Sequence, residues 1–153
     1  AEPAAAAGVE PAGAARQLQL ALVEDDASTR LLMEVMLAPH QVRSYETGAA
    51  ALRGLAETKP DVVLMDISLP DMNGMDVLKS FRATKAGPFV PVIAISAHAM
   101  TGDRERLLGA GFDAYFSKPV TDPAELQRAI ERLAREAAVR WGRKNGRRKA
   151  PKA

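Results

Sequence analysis

The chain contains no cysteine. That removes disulfide frameworks, thiolate metal sites and cysteine nucleophiles together, and it is compatible with a reducing compartment. The only two histidines, His40 and His98, lie far apart in sequence, so there is no clustered nitrogen and sulfur ligand set of the kind zinc takes. The single tryptophan, Trp141, falls in the C-terminal tail, which makes it a poor optical reporter of chemistry elsewhere. No apolar run approaches the roughly 20 residues of a membrane-spanning helix, and no charged segment followed by an apolar one opens the chain. The expectation is a soluble, cytoplasmic protein. No G-x-G-x-x-G follows the first apolar run, which weighs against dinucleotide binding.

With 153 residues and 47% hydrophobic content, the chain suits one globular domain with a sizeable core. Its net charge of +2 conceals an asymmetry. Residues 140–153 hold seven Lys/Arg and no acid, leaving 14 basic against 19 acidic residues, a net −5, in residues 1–139. Residues 1–16 are rich in Ala, Pro and Gly without amphipathic pattern and read as a flexible linker. The domain is expected over 17–139, followed by a basic, disordered tail over 140–153. That tail could contact phosphate backbones or anionic lipid, but it lacks the length and periodicity of a DNA-binding domain, and nucleic acid is otherwise not an expected partner.

From Leu18 onward, short β-type runs alternate with amphipathic stretches, the pattern of a βαβ series. Strands are expected at 18–23, 42–45, 61–66, 90–95 and 113–117, and helices at 28–38, 48–57, 74–84, 99–109 and 122–139. Ser28 and Asp122 are candidate N-caps, and Pro123 suits a first helical position. Helix 1 shows Leu31, Leu32, Val35 and Met36 at helical spacing, and helix 5 shows Leu126, Ile130 and Leu133; both stripes read as core. The fold class is therefore α/β, a (βα)5 doubly wound, five-stranded parallel sheet with helices on both faces. Right-handed crossovers limit the windings. The order 2-1-3-4-5 places strands 1 and 3 side by side at the switch point, where ligands bind outside the carboxyl ends of the strands.

Four of the apolar runs end in residues able to handle a phosphoryl group. They lead into Glu24-Asp25, Asp66, Ser96 and Lys118-Pro119. Taken alone, Glu24-Asp25-Asp26 reads as a solvated turn, and Asp66 as an ordinary acid. Together, three converging carboxylates repel one another by about 1 to 4 kcal/mol per pair at 4 Å, and a hard divalent cation such as Mg²⁺ compensates this best.

The ordered set, with Asp66 inside LMDISLPDMNG, Ser96 inside VIAISAHAM and Lys118-Pro119 closing FSKPV, resembles the receiver domains of bacterial two-component response regulators over about residues 17–138. The stretch from Val92 to Pro119 is similar to single-domain receivers and to receivers of hybrid histidine kinases. The resemblance implies that Glu24 and Asp25 bind Mg²⁺, with Mn²⁺ as a substitute, and that Asp66 is both phosphoacceptor and metal ligand. The Ser68 carbonyl would complete the protein's ligands. Ser96 would be the hydroxyl switch, Tyr115 the aromatic switch and Lys118 the phosphate-contacting amine. Lys118-Pro119 would be a cis peptide. Ser68, Ala97 and His98 would tune the lifetime of the phosphoryl group. The implied donor is a histidine kinase or histidine phosphotransfer protein. The implied output is a changed helix 4, strand 5 and helix 5 surface acting on a protein target, with a phosphorylation-dependent dimer as one form. Such a domain is a signalling phosphoacceptor that catalyses only its own phosphorylation and dephosphorylation.

Tyr115 and Phe116 are adjacent in a strand, so their rings point to opposite faces. Two other readings remain open: an interaction module of the same fold that does not use phosphate, and a metal-dependent phosphatase of the haloacid dehalogenase type. The latter typically has a second Asp two residues after its nucleophile, where this chain has Ser68.

Overall fold

The computed structural model describes residues 17–97 and 101–149. Its strands are β1 (Gln19–Val23), β2 (Gln41–Tyr45), β3 (Val62–Asp66), β4 (Val92–Ser96) and β5 (Ala114–Ser117). They alternate with the helices α1 (Ala27–Leu37), α2 (Gly48–Glu57), α3 (Gly74–Arg82), α4 (Asp103–Ala110) and α5 (Pro123–Lys149). The strands form one parallel sheet in the order β2-β1-β3-β4-β5. Every residue of β3 and β4 is buried, because both faces carry helices and both edges carry strands; this is why they read as uninterrupted apolar runs.

Alternate strand residues feed two cores. On one face Val23, Val63, Met65 and Ala94 pack with Ala51 and Leu55 of α2, Val77, Leu78 and Phe81 of α3 and Leu107 of α4. On the other, Leu20, Leu22, Leu64 and Ile93 pack with Met33 and Leu37 of α1 and Leu126, Ile130 and Leu133 of α5. Tyr115 packs on the first core and Phe116 on the second, as their offset of one requires. Buried His40 ties α1, β1 and α5 together: its Nδ1 accepts from Leu18 N–H at 3.1 Å, and its Nε2 lies 3.1 Å from Gln127 Oε1. Gln127 in turn donates to the carbonyls of Met36 and Ala38, which leaves its oxygen to accept the imidazole Nε2–H.

Four expectations are corrected. Leu31, Leu32 and Val35 are 65%, 54% and 68% exposed. Of the expected row, Met36 alone packs against the core, beside the buried Met33 and Leu37. Its N-cap is Asp26, not Ser28: an Asp26 carboxylate oxygen accepts from Thr29 N–H at 2.7 Å and from the Thr29 hydroxyl at 2.8 Å. The fourth helix begins at Asp103, because Gly102 stands before it in the left-handed region at φ +90°, a conformation that does not extend a helix backwards. The last helix does not stop at 139 but continues to Lys149, through the stretch expected to be disordered. The N-terminal linker and residues 150–153 lie outside the described residues. No helix among the described residues is long and apolar enough to cross a membrane.

Candidate functional site

The switch point between β1 and β3 collects the acids. Val23 is in register with Met65, so Glu24, one step past β1, lies beside Asp66, the last residue of β3. Carboxylate oxygens of Glu24, Asp25 and Asp66 fall within 4.8 Å of one another. Glu24 and Asp66 are buried and Asp25 is exposed, so the cluster opens to solvent on one side.

The surrounding backbone fixes these groups. Glu24 N–H donates to Tyr45 O at 2.9 Å, continuing the β1–β2 ladder. Glu24 Oε2 accepts from Asp26 N–H at 3.1 Å. Arg30 braces the turn from α1 by donating to the carbonyls of Glu24 and Asp25, both at 3.0 Å. Asp66 Oδ1 accepts from Ser68 N–H at 3.0 Å. Lys118 Nζ enters from the end of β5 and lies 2.7 Å from Glu24 Oε1 and 3.2 Å from Asp66 Oδ2. Its peptide bond to Pro119 is cis, and its N–H donates to Ser96 O at 2.8 Å. Ser96 is buried at the end of β4, with Ala97 exposed beyond it. Ser68 is exposed at the site's rim. Tyr115 is half-buried on β5 and borders a groove between α4 and α5 that Arg104, Arg128, Arg132 and Arg135 also line. His98 lies outside the described residues.

The electrostatics follow from burial and pairing. Burial pushes the Glu24 carboxyl above its ordinary value; the hydrogen bonds from Lys118 and Asp26 oppose this, and the charge of Asp66 reinforces it. Burial works against the Lys118 ammonium as well, but the hydrogen bonds and charges of Glu24 and Asp66 outweigh it and raise Lys118 above its usual range. One ammonium against three carboxylates leaves an excess of negative charge in an all-oxygen donor set. Such a set fits a hard divalent cation held by Glu24, Asp25 and Asp66, with carbonyl oxygen as further donor.

Two positioning residues carry weaker sequence signals. Asp71 accepts from the Gly48 and Ala49 N–H groups at 2.8 and 3.0 Å, tying the loop after β3 to the start of α2. These bonds lower its carboxyl below the usual value. Gly74 opens α3 so close to β3 that a Cβ there would lie 2.8 Å from Asp66 O and 2.8 Å from Ile67 Cα. The Pro-Asp-Met-Asn-Gly run marks a turn in sequence, but not its contact with the acceptor strand.

Comparison with known proteins assigns this arrangement. The family model described as "Response regulator receiver domain" matches residues 20–131. The chain belongs to the response regulator receiver family. Among its relatives, the transcriptional regulatory protein KdpE of Mycobacterium tuberculosis is 41% identical over 105 residues, which make up 67% of this chain and 45% of that protein. The polar-differentiation response regulator DivK of Brucella anthropi is 37% identical over 107 residues, 67% of this chain and 85% of that one. The chain thus spans less than half of KdpE and most of DivK. Among solved structures, the receiver domain of the sensor histidine kinase PA1611 from Pseudomonas aeruginosa has a TM-score of 0.71 at 36% identity, covering 78% of this chain and 98% of that one; it holds a magnesium ion in its active-site cleft. The receiver domain of a Luxo repressor protein from Vibrio parahaemolyticus has a TM-score of 0.73 at 25% identity, covering 82% and 95%. The receiver fold, five parallel strands in the order β2-β1-β3-β4-β5 with helices on both faces, is therefore common to this chain and its solved neighbours.

Proposed function

We propose that this receiver accepts a phosphoryl group on Asp66 from a phosphohistidine protein in a Mg²⁺-dependent step, and that it uses the modified state to signal through the α4-β5-α5 surface. The supporting observation is the position of Asp66: a buried carboxylate at a strand end, with Oδ1 on Ser68 N–H, Oδ2 beside Lys118, and Glu24 and Asp25 within reach.

In this reading an Asp66 oxygen attacks phosphorus, the P–N bond breaks, and its electron pair returns to the imidazole nitrogen of the donor, which leaves as histidine. Asp66 becomes an acyl phosphate. The divalent cation, when bound to the acids, supplies positive charge to the transferring group. Lys118 turns from the carboxylates to a phosphoryl oxygen, and the Ser96 hydroxyl donates to another; both contacts exist only after transfer. Ser96 then draws in the loop after β4, and Tyr115 follows on the neighbouring strand. The chain has no separate substrate to turn over.

A protein donor is favoured over a small molecule by the apolar row of α1. Leu31, Leu32 and Val35 are exposed on the helix that starts two residues after Asp25, and such a row beside a phosphoacceptor suits a helical partner. A phosphotransfer assay against a set of phosphohistidine proteins tests the reading. Stoichiometric, Mg²⁺-requiring transfer from a cognate donor supports it. Multiple-turnover hydrolysis of phosphomonoesters would instead support a phosphatase.

A further inference from the structure

The basic end of α5 is attached to the domain through Trp141. The sheet-facing stripe of α5 runs through Leu126, Ile130, Leu133 and Ala137, and Trp141 stands one turn further on. Its indole packs edge-on against Phe89, with ring centroids 5.0 Å apart and planes at 74°. Lys59 Nζ lies 4.9 Å from the ring centre. Phe89 belongs to the 3₁₀ turn Gly87–Phe89, which Arg82 braces by donating to Gly87 O and Val90 O at 2.7 and 2.6 Å. The indole therefore rests on a fixed loop, at the end of the sheet opposite the acidic cleft. This docking lies beyond residue 131, where the family match ends.

The helix continues past Trp141 to Lys149 against its own local preferences. Gly142 and Gly146 each cost about 1 kcal/mol in a helix interior. Arg140 and Lys144, Arg143 and Arg147, and Lys144 and Arg148 are like charges four residues apart, which destabilise a helix. No acid follows residue 139 to offset them. Lys59 and Lys85 border the indole on the domain side, together with the acids Glu57 and Asp61. A helix anchored at Trp141 that carries five Lys/Arg and no acid over residues 142–149 is stabilised by a polyanion.

We propose that the Trp141-anchored end of α5 is a contact surface for the phosphate backbone of double-stranded nucleic acid, read without sequence specificity. A duplex carries one negative charge per about 1.7 Å of axis, close to the helical rise of about 1.5 Å per residue. A helix that enters a lipid interface needs an apolar face. Over residues 140–149 the one large apolar residue is Trp141, which packs edge-on against Phe89 and is 38% exposed; one such residue makes no apolar face. The net −5 of residues 1–139 disfavours contact by the rest of the surface and confines a duplex to this end.

The test is fluorescence anisotropy of a short labelled duplex of arbitrary sequence, titrated with the full chain across a salt series in the absence of any phosphodonor. Its failure therefore leaves the phosphoacceptor reading untouched. Engagement of about six phosphates predicts a loss of affinity of about 10³-fold between 50 and 200 mM salt. Combined charge reversal at Arg143, Lys144, Arg147 and Arg148 to Glu, all beyond Trp141 in the chain, abolishes binding. Trp141→Ala keeps every charge but weakens binding about tenfold, because the helix must then be ordered on contact, and Trp141→Phe recovers most of that loss. The proposal is overturned if the charge-reversed chain binds like wild type, if Trp141→Ala binds unchanged, or if phosphatidylserine vesicles bind the chain and the duplex does not.

Discussion

Lys118 is paired with Glu24: its ammonium nitrogen lies 2.7 Å from Oε1 of that buried carboxylate. The lysine that would contact a phosphoryl group in the proposed function is thus the countercharge of a carboxylate that could hold a cation. If Lys118 turns away, a cation on the acids would take its place beside Glu24, so the proposed function predicts that metal binding and release of Lys118 are coupled. Lys118→Ala is expected to destabilise the metal-free protein by about 3 kcal/mol, the cost of stranding a buried charge, and saturating Mg²⁺ should close most of the gap. Thermal unfolding of both proteins with and without Mg²⁺ measures this. A deficit that metal leaves unchanged would show that the pair is not exchanged for the cation.

Glu24 makes its own contribution to the pH dependence of stability. Burial raises its carboxyl above 4.5, so the folded state takes up that proton more readily than the unfolded one. The contribution of Glu24 to stability is then fully present below pH 4.5 and is lost as pH rises through the raised value. Glu24→Gln should therefore raise the melting temperature at neutral pH and lose that advantage below pH 4.5, while weakening Mg²⁺ binding. Calorimetric scans across pH decide it; a gain that does not vary with pH would place its origin in packing.

The exposed row of α1 makes a prediction about the donor. Leu32→Asp and Val35→Asp alter side chains 54% and 68% exposed, so stability should stay within about 0.5 kcal/mol. Phosphorylation by acetyl phosphate should be unchanged, while transfer from a phosphohistidine protein should slow at least about tenfold, the cost of one lost apolar contact at an interface. Equal loss with both donors would mean the substitutions act on the acceptor site itself.

Gly74 is required by a close approach. An alanine there would put Cβ 2.8 Å from the Asp66 carbonyl, a backbone atom that cannot swing aside. Gly74→Ala should cost about 1 to 3 kcal/mol and slow phosphorylation by displacing Asp66. Wild-type rates with wild-type stability would mean α3 can shift without moving the acceptor strand.

The strands and their terminal residues were legible because β3 and β4 are buried on both faces, so Asp66 and Ser96 stand out at the ends of apolar runs. Alternation and handedness limit the windings without selecting one, and the observed order β2-β1-β3-β4-β5 is among those they allow. The first helix was not legible in the same way: its apolar residues are equivalent in sequence, and only the sheet distinguishes Met33 and Leu37 from Leu31 and Val35. Asp26 and Ser28 are both competent caps two residues apart, and the contact with Thr29 chooses between them. Along the continuation of α5, Trp141 meets Phe89, which is 52 residues away in sequence. No local propensity reports such a contact.

Intact-protein mass spectrometry after incubation with acetyl phosphate, with and without Mg²⁺, on wild type and Asp66→Asn, tests the central claim most directly. One added phosphoryl group that requires both Mg²⁺ and Asp66 is the predicted result. Addition that persists in Asp66→Asn, or no addition where a control receiver is modified, would contradict it.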